Sequence, residues 1–382
     1  MLYADYNGSA PLLPAVRKHL RERMDSDLFA NPNAIHSLGQ KLQRGMEKCR
    51  EVIAAAVGAY PDQIVFTSGS SEGVSTILHS VLTQTEKRII ITSPLEHAAV
   101  SKALDWYAGQ GFTVLRVGTD ANGVVQTAQL EKLLRENSDE VALVTIMASQ
   151  NETGVIQPFQ EIAALCGQSQ VPFFSDTTQY IGKAPFSFEA SGLDYAVASG
   201  HKLGALSGTG FMIAKDPTLL RPLIFGSTQE KGLRGGTQHY LGIETLAIAL
   251  AEFQDQRSRL EDLEVSRRWF ENEIRVAFPE AVVIGESAAR LPGTTLIGYP
   301  GIHGQAVQIE LEARNIFVTT SAACTDNQPE TSSVLKAMGI SDELGRGVIR
   351  ISLSHAHSRG DYELLASALT AAYARLSRIH SY

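Results

Sequence analysis

Two polar residues follow apolar, strand-like runs in the middle of the chain. Asp176 comes directly after Phe173-Phe174-Ser175, and Lys202 follows the run 195–198 through Ser199-Gly200-His201. Ligands of open α/β sheets collect at the carboxyl ends of strands, so these two side chains are expected to converge. A lysine held partly neutral in a desolvated pocket forms an imine with an aldehyde, and a carboxylate opposite it keeps a pyridine ring protonated as an electron sink. Taken singly, a solvated loop lysine and a turn aspartate are the commoner interpretations; their joint placement weakens these interpretations but leaves them open.

A Gly- and Ser-rich turn lies earlier, at Thr67-Ser68-Gly69-Ser70-Ser71-Glu72-Gly73. It follows a strand-like run and opens a helix-like stretch, so free backbone N–H groups and the hydroxyls of Ser70 and Ser71 are available to an anion. The alternative is an ordinary helix cap. No Gly-Lys-Ser/Thr follows, and no GxGxxG sequence occurs, so neither a P-loop nor a dinucleotide fingerprint is present.

Two further residues suggest chemistry nearer the C-terminus. Arg350 lies inside the apolar run Val348-Ile349-Arg350-Ile351, where a guanidinium needs a partner. A substrate carboxylate, bound in a bidentate manner, and an internal salt bridge are both open interpretations. Cys324 lies among small and polar residues, which suit an exposed, mobile loop. Cys49 and Cys166 lie in helix-like stretches and are interpreted as structural.

The elements that position these residues alternate between strand-like and helical patterns. Strands are predicted at 64–67, 89–92, 113–115, 143–146, 172–174 and 195–198, with helices such as 127–135 and 159–166 between them. This alternation predicts an α/β layered domain with a mostly parallel sheet. From about residue 241, helical spacing followed by high charge to residue 275 predicts one long helix leading to a second unit. Further strands are predicted at 294–297, 316–318 and 348–351. We expect a large α/β domain at 15–251 and a small α+β domain formed by 1–14 and 252–382.

Composition limits the function classes. The 382 residues are 44% hydrophobic and 19% charged, with a net charge of −8, so a globular protein is expected and neither nucleic acid nor an anionic membrane is an expected partner. The N-terminal residues show no secretion signal, and no apolar run has transmembrane length. Three widely spaced cysteines argue against a disulfide framework or a zinc cluster and favour a reducing cytoplasm.

The chain closely resembles the cysteine desulfurases, in particular their NifS/IscS-like branch. The resemblance covers essentially the whole chain and is carried by these segments: Asn31-Pro32-Asn33-Ala34-Ile35-His36-Ser37, Glu96-His97, Gln150-Asn151-Glu152-Thr153-Gly154, Asp176-Thr177-Thr178-Gln179, Ser199-Gly200-His201-Lys202, Leu233-Arg234-Gly235-Gly236-Thr237 and Ser321-Ala322-Ala323-Cys324-Thr325. These enzymes belong to the class V aminotransferase group of fold-type I pyridoxal-phosphate enzymes. The resemblance therefore implies that fold, pyridoxal 5'-phosphate as cofactor and L-cysteine as substrate.

The resemblance also implies roles for individual residues. Lys202 is implied as the imine lysine and proton carrier, and Cys324 as the residue that receives sulfur as a persulfide. The remaining implied roles are ring stacking by His97, ring-nitrogen pairing by Asp176, phenolic-oxygen bonding by Gln179, ring contact by Asn151, phosphate binding by Ser70, Ser71, Ser199 and His201, and substrate binding by Arg350 and Asn31. Thr237 is implied to reach the phosphate of a neighbouring subunit, which makes a homodimer necessary. A sulfur-acceptor or scaffold protein is the further expected partner.

The chain departs from the family pattern at several positions. Thr319-Thr320-Ser321-Ala322 stands before Cys324 where Ser-Ser-Gly-Ser is usual, and Asp326 replaces a usual Ser. Gly73-Val74-Ser75, Ala148-Ser149-Gln150 and Ser354-His355 differ as well. Two rival functions stay open: a related lyase acting on selenocysteine or cystine, and a non-catalytic sulfur-transfer scaffold. A scaffold has no need of Lys202, Asp176, His97 and Cys324 together.

Overall fold

The computed structural model describes residues 1–26, 28–320 and 331–379. Its strands are β1 (Leu2–Tyr3), β2 (Ile64–Thr67), β3 (Ile89–Thr92), β4 (Thr113–Arg116), β5 (Val141–Thr145), β6 (Phe173–Asp176), β7 (Tyr195–Ser199), β8 (Gly210–Ala214), β9 (Val282–Val283), β10 (Thr294–Gly298), β11 (Ile316–Phe317) and β12 (Val348–Ser352). Its helices are α1 (Pro14–Met24), α2 (Ser37–Val57), α3 (Ser70–Leu82), α4 (Ala98–Gly109), α5 (Thr127–Glu136), α6 (Phe159–Gln168), α7 (Phe188–Ser191), α8 (Gly200–Leu203), α9 (Tyr240–Gln256), α10 (Leu260–Ala277), α11 (Gly304–Glu312), α12 (Ser333–Ala337), α13 (Asp342–Gly345) and α14 (Arg359–Ile379).

The larger sheet has the strand order β2-β8-β7-β6-β5-β3-β4 within the described residues. Strand β8 runs antiparallel to both β2 and β7, and the other pairs are parallel. The carboxyl ends of β2, β6 and β7 therefore meet at one edge. Strands β5 to β8 are buried along their whole length, because helices cover both faces. One apolar core includes residues of α2, α5, α6 and α9, and another includes residues of α3 and α4.

A separate apolar core lies in the C-terminal part of the chain. It gathers residues of β1, α10, α11, β12 and α14. Strand β1 pairs in parallel with β11, and β10 lies between β9 and β12. The expected boundary at residue 252 falls inside α9, which runs to Gln256. The separate cores agree with two units, and the division into domains stays a prediction.

The prediction of one long helix after residue 241 is wrong. Helix α9 ends at Gln256, a short 3₁₀ turn follows at Arg257–Arg259, and α10 begins at Leu260. The apolar residues of α9, such as Ile243 and Leu246, pack in the first core, whereas Phe270 and Ile274 of α10 pack in the C-terminal core. A single straight helix could not direct its apolar stripe into both cores, so the chain turns between them.

The strands predicted from β-branched runs are present, two of them with the predicted bounds and the others with ends shifted by at most two residues. Strand β8 was not predicted, since Gly210-Phe211-Met212-Ile213-Ala214 holds a single β-branched residue. Across the ranges that the structure describes, no helix is both long and apolar enough to span a bilayer.

Candidate active site

A cleft of about 1380 Å³ opens at the carboxyl ends of the central strands. Its lining includes ten of the residues singled out from the sequence: Ser70, Ser71, His97, Asn151, Asp176, Gln179, Ser199, His201, Lys202 and Arg350. Asn31 and Thr237 are exposed and are not part of this lining. Cys324 lies outside the described residues, so its position relative to the cleft stays a prediction.

Lys202 enters the cleft from α8, which begins directly after β7. Its Nζ donates hydrogen bonds to the backbone oxygens of Asn7, at 2.8 Å, and Gly8, at 2.6 Å. These carbonyls belong to the segment that follows β1, almost two hundred residues earlier in the chain. The amine is thus held at a defined place between the sheet edge and the N-terminal segment.

Asp176 ends β6 and is buried at the floor of the cleft. Its Oδ1 accepts a hydrogen bond of 3.0 Å from the backbone N–H of Thr178. A second carboxyl group, that of Glu96, lies close enough to interact with its charge. Burial, to which the charge of Asp176 adds, raises the pKa of Glu96 to about 8, against the opposing effect of bonds from Ser93 and Met147. Glu96 therefore carries a proton at neutral pH, which avoids two adjacent negative charges.

The N-terminus of α3 forms the anion-binding end of the cleft. No side chain caps this helix at its N-cap Gly69, whose φ of 155° suits glycine, so first-turn N–H groups face the cleft. The hydroxyl of Thr178 donates to Ser70 Oγ at 2.6 Å, and Ser199 lies at the adjoining end of β7. This arrangement confirms the strand–turn–helix expected from the Gly-Ser sequence.

His201 and His97 both line the cleft. The Nδ1 of His201 lies 3.3 Å from the hydroxyl of Ser9. Burial, and then the charges of Lys202, Lys183 and His97, lower the pKa of His201 to about 4, so it is neutral near pH 7. His97 is the N-cap of α4 and accepts a 3.1 Å bond at Nδ1 from the N–H of Ala99. A neutral His97 therefore carries its proton on Nε2.

Arg350 projects from β12 and forms the internal salt bridge that the sequence left open. Its Nη2 lies 2.7 Å from Asp5 Oδ1, and its Nη1 donates to the backbone oxygen of Asn151 at 3.0 Å. The Nε is buried with no hydrogen-bond partner among the described residues. Because Arg350 also lines the cleft, a carboxylate that enters there meets a guanidinium already placed and oriented.

The turn that carries Asn151 is fixed from both sides. The buried side chain of Gln150 accepts a bond from the N–H of Thr153 at 2.9 Å. Glu152 accepts a 2.7 Å bond from Ser332, the N-cap of α12. Burial raises the pKa of Glu152 to about 7, against the lowering effects of Ser332 and Arg350. This contact ties the Asn151 turn to the first residues after the undescribed segment 321–330.

The sequence analysis did not identify the polar segment after β1 as part of the site. Asn7 is buried, and its Nδ2 donates to Thr294 Oγ1 at 3.1 Å and to the backbone oxygen of Asn151 at 3.2 Å. The backbone oxygen of Asn7 accepts hydrogen bonds from Lys202 and Gln179. Asp5 pairs with Arg350. The signal was available in Asp5-Tyr6-Asn7-Gly8, which is a polar, glycine-containing run after a strand, like the runs that identified Asp176 and Lys202. The partly buried Lys183 and the buried Glu96 were also missed as members of the site.

The two described cysteines are poor nucleophiles. Burial, with a contribution from Glu244, raises the pKa of Cys49 to about 11. Burial and Asp194 raise that of Cys166 to about 12. Both residues therefore stay protonated thiols, in agreement with their interpretation as structural.

A lysine amine and a carboxylate at adjacent strand ends, beside an anion-binding helix terminus, define an α/β enzyme that binds a phosphorylated aldehyde cofactor. Comparison with known proteins bears this out. The family model "Aminotransferase class-V" matches residues 2–365. A cysteine desulfurase from Enterobacter agglomerans is 31% identical over 383 residues, which cover 100% of this chain and 94% of that protein.

Solved structures agree with this assignment. A NifS-like protein superposes with a TM-score of 0.90 at 32% identity, with 98% of this chain and 100% of that chain covered. A structure described as SspA in complex with cysteine superposes with a TM-score of 0.81 at 30% identity, over 93% and 99% of the two chains. The chain therefore belongs to the class-V aminotransferase family, and within it to the cysteine desulfurase group. The fold expected from the resemblance, fold-type I, is confirmed.

The cofactor of this family is pyridoxal phosphate, and the residues of the cleft fit it. The uncapped first turn of α3 and the nearby hydroxyls suit a phosphate, the buried Asp176 suits a protonated ring nitrogen, and Lys202 suits an aldehyde carbon. The cleft is larger than one small ligand needs, so it has space for a substrate beside the cofactor.

Proposed function

We propose that the chain is a cysteine desulfurase that converts L-cysteine to L-alanine and leaves the sulfur as a persulfide on Cys324. The observation that carries this proposal is the shared cleft, which Lys202, Asp176 and Arg350 all line. A structural relative carries bound cysteine according to its description. Sequence relatives from several bacteria are cysteine desulfurases.

Pyridoxal phosphate, when bound, supplies an aldehyde carbon and a pyridinium ring that accepts electrons from the substrate Cα. In our proposal Asp176 would keep the ring nitrogen protonated, and Gln179 would donate Nε2–H to the ring oxygen. Ser70, Ser71, Ser199 and His201 would hold the phosphate, and His97 and Asn151 would contact the ring. Lys202 Nζ takes the proton from Cα and returns one after the carbon–sulfur bond breaks.

The sulfur of the substrate is transferred to the thiolate of Cys324. Cys324 attacks the substrate sulfur, the Cβ–S bond breaks with its electron pair on carbon, and Cβ is then protonated. One cysteine and one enzyme thiol thus give one alanine and one enzyme persulfide, with no external oxidant. Arg350 orients the substrate by its carboxylate, which competes with Asp5 for the guanidinium, and Asn31 is proposed to contribute to substrate binding.

The protein is further proposed to act as a homodimer in the cytoplasm. Thr237 is exposed and lies outside the cleft lining of its own chain, which supports a role at the phosphate of a partner subunit. A persulfide requires an acceptor, and we propose a sulfur-acceptor or scaffold protein in iron–sulfur cluster or thio-cofactor and tRNA pathways.

The proposal is tested by measuring alanine and sulfide from cysteine with a reductant present. Cys324→Ala should lower alanine formation by at least about 100-fold, because the step that breaks the C–S bond loses its nucleophile. The matched control Cys49→Ala should keep wild-type rates, since its buried thiol takes no part. Alanine formation by Cys324→Ala at the wild-type rate would contradict the proposal, and preference for selenocysteine or cystine would favour the rival lyases.

A further inference from the structure

Lys183 lies behind Lys202 and takes no part in the mechanism above. It follows β6 by seven residues, is partly buried, and does not line the main cleft. Its Nζ donates to Asn7 Oδ1 at 2.8 Å and to Gln179 Oε1. It also borders a separate cavity of about 40 Å³ whose walls include Leu291 and Leu353. Removing a lysine amine from water costs free energy unless the amine is hydrogen-bonded, as that of Lys183 is.

The bond from Lys183 fixes which way the amide of Gln179 faces. A lysine Nζ only donates, so the atom of Gln179 that faces it must be the oxygen. The Nε2 then faces the other way, and one of its hydrogens goes to the backbone oxygen of Asn7 at 2.9 Å. Gln179 lines the cleft, so the second hydrogen of Nε2 is available to a ligand there. Lys183 and the backbone oxygen of Asn7 thus hold the two ends of the amide, and without Lys183 the oxygen end loses its donor.

Lys183 also fixes Asn7, which in turn holds Lys202. The Nδ2 of Asn7 is bonded to Thr294 and Asn151, so its Oδ1 is the end that faces Lys183. The backbone oxygen of the same residue accepts from Lys202 Nζ at 2.8 Å. Lys183, Asn7, Gln179 and Lys202 thus form one hydrogen-bond network, in which loss of one member leaves others without partners.

Charge links the two lysines as well. Burial, and then the charges of Lys202 and Arg350, hold the pKa of Lys183 well below its usual range, and Asp5 acts in the opposite direction. His201 is the other titratable group that interacts with Lys183. Two neighbouring amines resist carrying a proton at the same time, so a change at one alters the protonation of the other.

We propose that Lys183 is a positioning residue: it orients the Gln179 amide so that Nε2 donates into the cleft, and it braces the Asn7 segment that seats Lys202. This inference deepens the proposed function, since it assumes pyridoxal phosphate in the cleft. It does not depend on which amino acid is the substrate.

The test is a pH titration of the visible absorbance of the cofactor-loaded protein without substrate, together with the Kd for the cofactor. Lys183→Met keeps the length of the side chain and removes its donors and charge. We expect the titration midpoint to rise by roughly half to one pH unit, because the Nε2 donor of Gln179 is no longer held toward the cofactor. Lys183→Arg keeps charge and donors, has the neighbouring cavity available for its larger head, and should keep the wild-type midpoint. A folded Lys183→Met protein with the wild-type midpoint would overturn the proposal.

A second variant covers the case in which Lys183→Met does not fold. Gln179→Glu keeps an acceptor for Lys183 but removes the Nε2 donor, so the midpoint should again move to higher pH. An unchanged midpoint in Gln179→Glu would show that the amide does not donate to the cofactor, and the proposal would fall. A shifted midpoint in a protein that makes no alanine would sink the proposed function and leave the role of Lys183 standing.

Discussion

The two ends of the cleft are built differently. The end that we assign to the cofactor consists of residues at the carboxyl ends of β2, β6 and β7, and each is placed by its own strand and the turn that follows. The end that we assign to the substrate is centred on Arg350, which bonds Asp5 and the backbone oxygen of Asn151, so three distant parts of the chain meet there. At the first end each side chain is placed by local structure, although Lys202 and Gln179 also bond to Asn7, whereas the second end depends on tertiary contacts throughout.

The two ends also differ in whether their polar groups already have partners. At the substrate end, Arg350 already has a carboxylate partner in Asp5. At the cofactor end, the first turn of α3 has no side-chain cap, and Glu96 is a buried acid that keeps its proton. A ligand at the cofactor end therefore adds missing hydrogen-bond partners, whereas a ligand at the substrate end must compete for them. We expect tighter binding at the cofactor end and faster exchange at the substrate end.

The largest expected effect is at the cofactor end. Lys202→Ala should reduce alanine formation by roughly 10³-fold or more, because the proton carrier is lost. When Lys202→Ala subunits are paired with Thr237→Ala subunits, the heterodimer should regain about half of the wild-type activity per dimer. The reason is that, if Thr237 acts across subunits, one site of each heterodimer has both residues intact. Activity is measured on heterodimers purified with two different tags. No recovery in such heterodimers would place Thr237 outside the partner's site.

A smaller and more selective effect is expected at the substrate end. Arg350→Ala should raise the KM for cysteine about 10- to 100-fold, since a charge-assisted bidentate contact is lost, and should change the cofactor Kd by less than about threefold. Arg346→Ala, on the exposed surface, is the matched control. Equal losses of cysteine and cofactor binding would show instead that Arg350 serves only as the partner of Asp5, and the contrast between the two ends would fail.

The smallest effect concerns stability. Because the pKa of Glu96 is raised to about 8, the folded protein keeps a proton on this residue that the unfolded chain releases above about pH 4.5. The free energy of unfolding should therefore fall as the pH rises from about 4.5 to about 8. Glu96→Gln should remove this dependence and raise the free energy of unfolding at pH 7.5 by ~1–3 kcal/mol. Urea unfolding at pH 5 and 7.5 measures the difference, with the exposed Glu131→Gln as control. If the free energy of unfolding depended on pH in the same way in Glu96→Gln and wild type, the claim that Glu96 is a buried acid that keeps its proton would be wrong.

Features that depend on local structure were predicted from the sequence, whereas features that depend on tertiary contacts were not. The β-branched runs predicted the strands, and polar residues directly after two of them predicted Asp176 and Lys202, because the required information lies within a few residues. The seat of Lys202 on Asn7 joins residues 195 positions apart, and no local pattern encodes such a contact. The break between α9 and α10 was missed for a similar reason, since helical spacing continues across it while the cores on either side differ. Glu96 was quoted only as part of a motif, because burial and a retained proton depend on the whole fold.

The short strand β1 imposes an order on how the site is completed. Asp5 pairs with Ser352 through a backbone bridge, and Asn7 then reaches Lys202. During synthesis, the large sheet and both of its strand-end residues emerge from the ribosome well before β12 does. A growing chain can therefore form the sheet that carries Lys202 and Asp176 while the segment that seats the lysine still lacks its own anchor. We expect the amine to reach its final position, and cofactor capture to follow, only after β12 has been made.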